Sequence, residues 1–217
     1  MKAYFVRHGE SEQNSMGVHQ SGQTPLSETG QKQARILANR FREIPVDRII
    51  ASDYIRAKQT AEAIAQTTGK DIVFTPLLRE RKRPSELIGI PYKSNESAKF
   101  YRLLIKNRMD PSYHFSDEEN FFDAVKRAKK FIKLLETYKE KNTAVVSHGA
   151  FIKFILAVLI YGDKLNPDIY DPFYMFFVSK NTGITLCEKR AGEFGEDHGK
   201  TGTRWHIVTW NDHAHLG

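Results

Sequence analysis

The sequence predicts an α/β fold: a three-layer α/β/α sandwich with a mostly parallel, doubly wound sheet and a helical insertion. Two observations predict it. Short apolar runs alternate along the chain with stretches of helical periodicity. Two of those runs, AYFVRHGE at 3–10 and AVVSHGAF at 144–151, stop abruptly at the same His-Gly pair, as strands do when they share one functional edge of a sheet.

Each element has its own reason. KAYFV (2–6) reads as a strand, and PLSETGQKQARILANRF (25–41) as an amphipathic helix that opens on Ser27 as its N-cap. RIIAS (48–52) is a second strand, AKQTAEAIAQTTG (57–69) a helix closed by glycine, and DIVF (71–74) a third strand. Residues 95–140 read as two helices separated by DPSYHFS, and TAVVS (143–147) as another strand. The apolar run from 150 to 161 is a buried helix, too short for a bilayer and carrying Lys153 inside it. FYMFFVS (173–179), GITLCEK (183–189) and RWHIVTWN (204–211) read as three closing strands. With no repeat and no low-complexity linker, residues 1–217 are expected to form one domain with a helical insertion at about 82–140.

Composition narrows the function classes. The chain is 40% hydrophobic and 27% charged, ordinary for a globular protein, and its single cysteine, Cys187, excludes an intrachain disulfide. MKAYFVRHG does not fit a secretory leader, because its apolar stretch ends at Arg7, so a cytoplasmic protein without a membrane partner is expected. The net charge of +7 points to nucleic acid, an acidic surface or an anionic small substrate. Part of the excess lies in KRAKKFIKLLETYKEK (126–141), where Val125, Ala128, Phe131, Ile132 and Leu135 mark an apolar stripe and the lysines fall on a solvated face. The compact RERKR at 79–83 sits close to prolines and reads either as a solvated charge run or as a cationic lip that selects a substrate with extra negative charge.

In doubly wound sheets ligands sit outside the carboxyl ends of the strands. Both His-Gly pairs fall there, as do Arg56 after RIIAS and Glu80 after DIVF, so the inventory of one crevice is Arg7, His8, Arg56, His148 and Glu80. The planar fork of arginine suits a phosphate, and a following helix N-terminus adds backbone N–H donors. Imidazole becomes a nucleophile when its tautomer is fixed, and a carboxyl beside a phosphate has reason to stay protonated and act as an acid.

RHGESEQN (7–14), SDYIRAKQTA (52–61), LLRE (77–80) and VVSHG (145–149), in this order, resemble the histidine phosphatase superfamily in its phosphoglycerate-mutase-like branch. TPLSETGQKQA (24–34), NTGITL (181–186) and WHIVTWNDHAHL (205–216) extend the likeness over nearly the whole chain, with 82–140 the weakest part. The resemblance implies a small phosphatase in which His8 carries a covalent phosphohistidine and Arg7, Arg56, His148, Gly149 and Asn14 hold the phosphoryl oxygens. Glu80 would then protonate the leaving oxygen, with Glu86 a competitor within the same loop. No metal or cofactor is implied, because the cations are side chains.

Many members follow the acidic residue with a Gly-x-Trp-Glu-Gly type segment, whereas RKRPSELIGIP stands here. No match to a substrate-enclosing lid is present, which favours hydrolysis over a phosphoglycerate-mutase-like phosphotransfer. A basic phospho-ligand or nucleic-acid binding module is the alternative from another class. The remaining histidines carry less: His213 and His215 have a spacing that can chelate a metal but no accompanying carboxylate or cysteine motif, and His19, His114, His198 and His206 show no constellation. Cys187 reads as a small core residue.

Overall fold

The computed structural model describes residues 1–191 and 202–217. Strand β1 (Lys2–Arg7) leads through a short helix α1 (Glu12–Ser15) to α2 (Glu28–Arg40), β2 (Arg48–Ser52) and α3 (Ile55–Thr68). Then come β3 (Ile72–Thr75), α4 (Asn95–Lys106), α5 (Phe121–Thr137), β4 (Asn142–Ser147), α6 (Gly149–Tyr161) and α7 (Pro167–Phe176). Strands β5 (Ile184–Ala191) and β6 (Thr203–Asp212) close the chain. The six strands form one sheet in the order β3-β2-β4-β1-β5-β6. Strands β1 to β4 pair in parallel, and β5 and β6 add an antiparallel edge.

Period-two alternation sorts the strand side chains into two cores. Ala3 and Phe5 of β1, Ile50 of β2 and Val145 of β4 face one cluster, which includes Phe131 and Leu135 of α5 and Phe151, Phe154 and Ile155 of α6. Tyr4 and Val6, Ile49 and Ala51, and Ala144 and Val146 face the other, where Leu37 of α2 and Ala57, Ala61 and Ile64 of α3 cover the sheet. A near-continuous apolar strand is the consequence of burial on both faces, and the three-layer architecture results.

Local signals hold at most helix ends. The Ser27 side chain accepts the Gly30 N–H at 3.0 Å, and Gly69 ends α3 at a φ of 67°. Residues 95–106 and 121–137 are the two helices expected in the insertion. The C-terminal third departs from the sequence reading at one place. FYMFFVS is not a strand: residues 173–176 are the last turn of α7, which Asn166 caps and Pro167 opens. The apolar residues Tyr170, Phe173 and Phe177 recur at helical rather than alternate spacing, and their rings stack along one face. The rich β-propensity of the segment is overridden by packing onto the first core.

The approach of α2 to the loop after β1 is close. A Cβ on Gly30 would lie 1.8 Å from the Glu10 carbonyl oxygen, and one on Gly9 would lie 2.6 Å from that of Gly30. Gly30→Ala is therefore expected to push α2 away from the loop, at the cost of about 1–3 kcal/mol typical of overpacking. Calorimetry should show a Tm lower by roughly 2–12 °C; an unchanged Tm would mean that the contact relaxes freely.

Candidate active site

Because β1 and β4 are parallel neighbours with Arg7 opposite Ser147, the residues just past each strand emerge side by side. The His8 N–H donates to the Ser147 carbonyl at 3.0 Å, and the rings of His8 and His148 lie 4.9 Å apart. His8 Nδ1 stands 2.6 Å from the Gly9 carbonyl oxygen, which can only accept, so Nδ1 bears the proton. Burial first, then Arg56 and Arg7, push the His8 pKa well below its ordinary value, which keeps the ring neutral. The lone pair is thus on Nε2, where it accepts Nε–H of Arg56 at 3.2 Å.

Arg56 stands in the first turn of α3 and also donates to the Ser21 carbonyl at 2.7 Å. Burial lowers its pKa to about 10, far enough above neutrality for the charge to persist. Thr60, one turn further on, donates to the Arg56 carbonyl and accepts from the Gly9 N–H at 3.1 Å, which ties the helix to the loop that bears His8. Arg7 reaches the Ser179 carbonyl and, at 3.4 Å, Asn14 Oδ1, while its buried Nε has no partner. His148 binds Ser52 Oγ through Nε2 at 2.9 Å and leaves its buried Nδ1 unpartnered. Neither Arg7 nor Arg56 forms an ion pair among the described residues. One buried and one half-buried guanidinium without an ion pair among the described residues, beside an imidazole nitrogen with no partner there, make a pocket suited to an anion.

Glu80 is carried by the loop after β3. Its carboxylate accepts the N–H groups of Ala150 and Phe151 at 3.2 and 2.9 Å, in the first turn of α6. Arg127 of α5 holds that loop from outside: it donates to the carbonyls of Leu77, Arg79 and Glu80, pairs with Glu119, and lies 3.7 Å from the centre of the Phe151 ring. Glu86 is exposed and accepts from Ser116, away from the crevice.

Arg7, His8, Asn14, Arg56, Glu80 and Gly149 line one cavity of about 530 Å³. His148 is fully buried and does not reach the cavity surface, with Tyr54 packed edge-on against its ring at 5.3 Å. The RERKR run divides. Arg79 and Lys82 pair with Asp53 and Asp117 at 2.6 and 2.9 Å, Lys82 while also lining the cavity, whereas Arg81 and Arg83 line it without an ion pair among the described residues. Burial lowers Arg81 to about 10, and Arg83 lies over the Tyr101 ring at 5.6 Å.

A family model for the histidine phosphatase superfamily (branch 1) matches residues 3–195. The chain belongs to that superfamily. A curated relative, the "Probable phosphoglycerate mutase GpmB" of Escherichia fergusonii, is 29% identical over 74% of this chain and 75% of its own length. Alignments to two further curated relatives of the same name, from Photorhabdus laumondii and Escherichia coli, span 38% and 52% of their lengths. Among solved structures, Bacillus stearothermophilus YhfR superposes with a TM-score of 0.80 at 22% identity, covering all of this chain and 99% of that one. The phosphoserine phosphatase of Entamoeba histolytica, solved as a mutant in complex with phosphoserine, superposes at 0.76 with 25% identity over 99% and 98% of the two chains.

The superfamily motifs do not account for every residue at the site. His19, in which the sequence shows no constellation, is 1% exposed and lines the cavity. Ser97 spends its hydroxyl proton on the Pro91 carbonyl, so it accepts from His19 Nε2–H at 3.0 Å. The ring lies between Tyr92 and Tyr101, and the backbone on either side pairs with residues 89–92. His19 thus fastens the insertion to the loop after β1. Asn181 was also missed as an individual contributor; its Nδ2 donates to the His8 carbonyl at 2.9 Å. Arg127 belongs to a run read as a solvated face, which holds for Lys126, Lys130 and Lys133 but not for this half-buried guanidinium.

Elsewhere, His114 pairs with Asp123 at 2.8 Å, His213 contacts the Asn211 carbonyl and His215 contacts Thr182. His206 lies in β6, and His198 falls outside the described residues. Among the described residues no three His, Cys, Asp or Glu side chains are grouped to hold a metal ion, and no helix is long and apolar enough to cross a membrane. Cys187 is buried in β5, and burial pushes its thiol up to about 12.

Burial, with Arg83 nearby, lowers His19 to about 4. Between that value and about 6.5 the unfolded chain binds a proton at this residue and the folded one does not, so stability falls as pH drops through the window. His19→Gln cannot titrate, and its Tm should fall less than that of the parent between pH 7 and pH 4.5. Parallel melting curves for the two proteins would refute the assignment.

Proposed function

We propose that the protein is a metal-independent phosphomonoester hydrolase that works through phosphohistidine at His8. The observation that carries the reading is the neutral His8 ring: its proton is committed to Gly9, and its unprotonated Nε2 accepts from Arg56 in a cavity where Arg7, Arg56, Arg81 and Arg83 form no ion pair among the described residues. Nε2 attacks phosphorus while the bond to the leaving oxygen breaks, and Glu80 gives that oxygen a proton. Arg7, Arg56, Asn14 and the N–H of Gly149 stabilise charge on the phosphoryl oxygens, and His148, held by Ser52, supports them from below the cavity surface. Water then attacks phosphorus, Glu80 takes its proton, the P–N bond breaks and inorganic phosphate leaves. No metal is needed, because side-chain cations neutralise the transferring group.

The substrate is taken to be a small phosphorylated molecule with a second anionic group. Arg81 and Arg83 support this, since both present charge to the cavity beyond the pair at His8. Because both cores lean on one sheet, the chain is read as one domain, with the segment at 82–140 as its cap, acting in the cytoplasm. The name of the curated relatives keeps a mutase reading open; there the phosphoryl group would return to a substrate hydroxyl, and isomerisation without phosphate release would identify it.

Two measurements test the hydrolase. Acid-labile, alkali-stable phosphate should be trapped on the parent after rapid quenching with labelled substrate, and none on His8→Ala; label retained in the variant would overturn the assignment. For the acid, alkyl phosphates are the sensitive substrates, because a poor leaving group depends on proton donation for typically 10²–10⁴-fold of the rate. Glu80→Gln should slow them by a factor in that range, slow phosphoenzyme formation from aryl phosphates far less, and let phosphoenzyme accumulate. If Glu86→Gln shows this pattern and Glu80→Gln does not, the acid is Glu86.

A further inference from the structure

A second cavity of about 280 Å³ adjoins the first and shares Arg81, Arg83, Tyr101 and Tyr174 with it as a common wall. Beyond that wall its lining is largely apolar and aromatic, from Leu104 on α4 to Phe121 on α5 and Met175 on α7. Its charges are mostly spoken for. Arg108 pairs with Asp168 and Asp171 at 2.8 and 3.4 Å, and Asp110 accepts from Ser112. Tyr170 differs: it is 4% exposed, its ring is stacked on Phe154 at 4.2 Å, and its hydroxyl has no hydrogen-bond partner among the described residues. A buried hydroxyl left without a partner is costly, and tyrosine in such a place ordinarily finds an acceptor.

We propose that this cavity receives the ring-bearing end of the substrate's leaving alcohol, an aromatic or alicyclic body whose polar edge accepts the Tyr170 hydroxyl. The inference rests on the phosphomonoesterase reading and deepens it. The phosphoryl group sits at His8, the second anionic group at Arg81 and Arg83, and the apolar end passes the tyrosine pair into the second cavity. Continuity argues for one ligand rather than two, because the arginines and tyrosines that bound the second cavity also face the first. The cavity is concave, mostly apolar and furnished with a single orienting donor, which is the pattern of a site for a small organic body.

The test compares release of inorganic phosphate from ethyl phosphate and from 2-(2-naphthyl)ethyl phosphate. Both are alkyl esters with similarly poor leaving groups, so a difference in kcat/KM reports ring binding rather than bond breaking. The parent should prefer the naphthyl ester at least tenfold. Leu104→Trp and Met175→Trp fill the cavity from two helices, and either should bring the preference below threefold; the second is at an exposed position that tolerates a large side chain. A parent preference below threefold, or a preference that persists in both variants, overturns the inference while the hydrolase stands. Non-competitive inhibition by 2-naphthylethanol would make the cavity a separate effector site and also overturn it. If neither ester releases phosphate, the phosphomonoesterase reading itself fails.

Discussion

The parallel pairing of β1 with β4 is the constraint on which the site depends. Register in a sheet buried on both faces is strongly specified, because a slip by one residue would exchange the two cores. Here it sets Arg7 against Ser147, and the chemical groups are then placed by the loop or helix at the end of each strand. His8 and His148 emerge as neighbours, the helix after His148 presents its first N–H groups to Glu80, and the loop after His8 meets α3 through Thr60. The functional side chains sit at strand and helix ends, so the rigidity of the sheet is transmitted to them with few intervening bonds.

Electrostatically the site is arranged around a deficit. Arg56 is buried and Arg7 half-buried, neither with a carboxylate partner among the described residues, and the two histidines near them are held neutral by burial and the same positive charge. Leaving charge desolvated is unfavourable unless something compensates it. An anion with several acceptor oxygens in the cavity does so at once, meeting the guanidinium charges and the Arg7 Nε that has no partner among the described residues. The proposed preference of the pocket for phosphoryl over neutral groups rests on this imbalance.

The strand-end histidines, Arg56, Glu80 and most of the sheet were legible because each has a local signature: an apolar run that stops at a turn, a cap, or a period of 2 or 3.6. FYMFFVS misled because β-propensity is a property of residues, while the helix there is set by Asn166 and Pro167 upstream and by ring stacking against α6. His19 and Arg127 were illegible for a different reason. His19 acquires its role from Ser97, and Arg127 from carbonyls about 50 residues earlier in the chain, so no window of sequence holds both partners. The RERKR run illustrates both cases, since Arg79 and Lys82 pair with nearby acids while Arg81, Lys82 and Arg83 line the cavity.

The grip of Arg127 on the carbonyls of Leu77, Arg79 and Glu80 makes the last helix of the insertion part of the scaffold for the proposed acid. Cap and catalytic loop therefore cannot diversify independently. A lineage that rebuilt α4 would have to keep the Ser97 contact to His19, whereas a segment exchange that replaced α5 would have to bring along the pair Arg127–Glu119, or the loop that carries Glu80 would lose one of its anchors. The modularity suggested by a weakly matching insertion thus ends at about residue 119, and the freedom to change substrate is concentrated in the stretch before it.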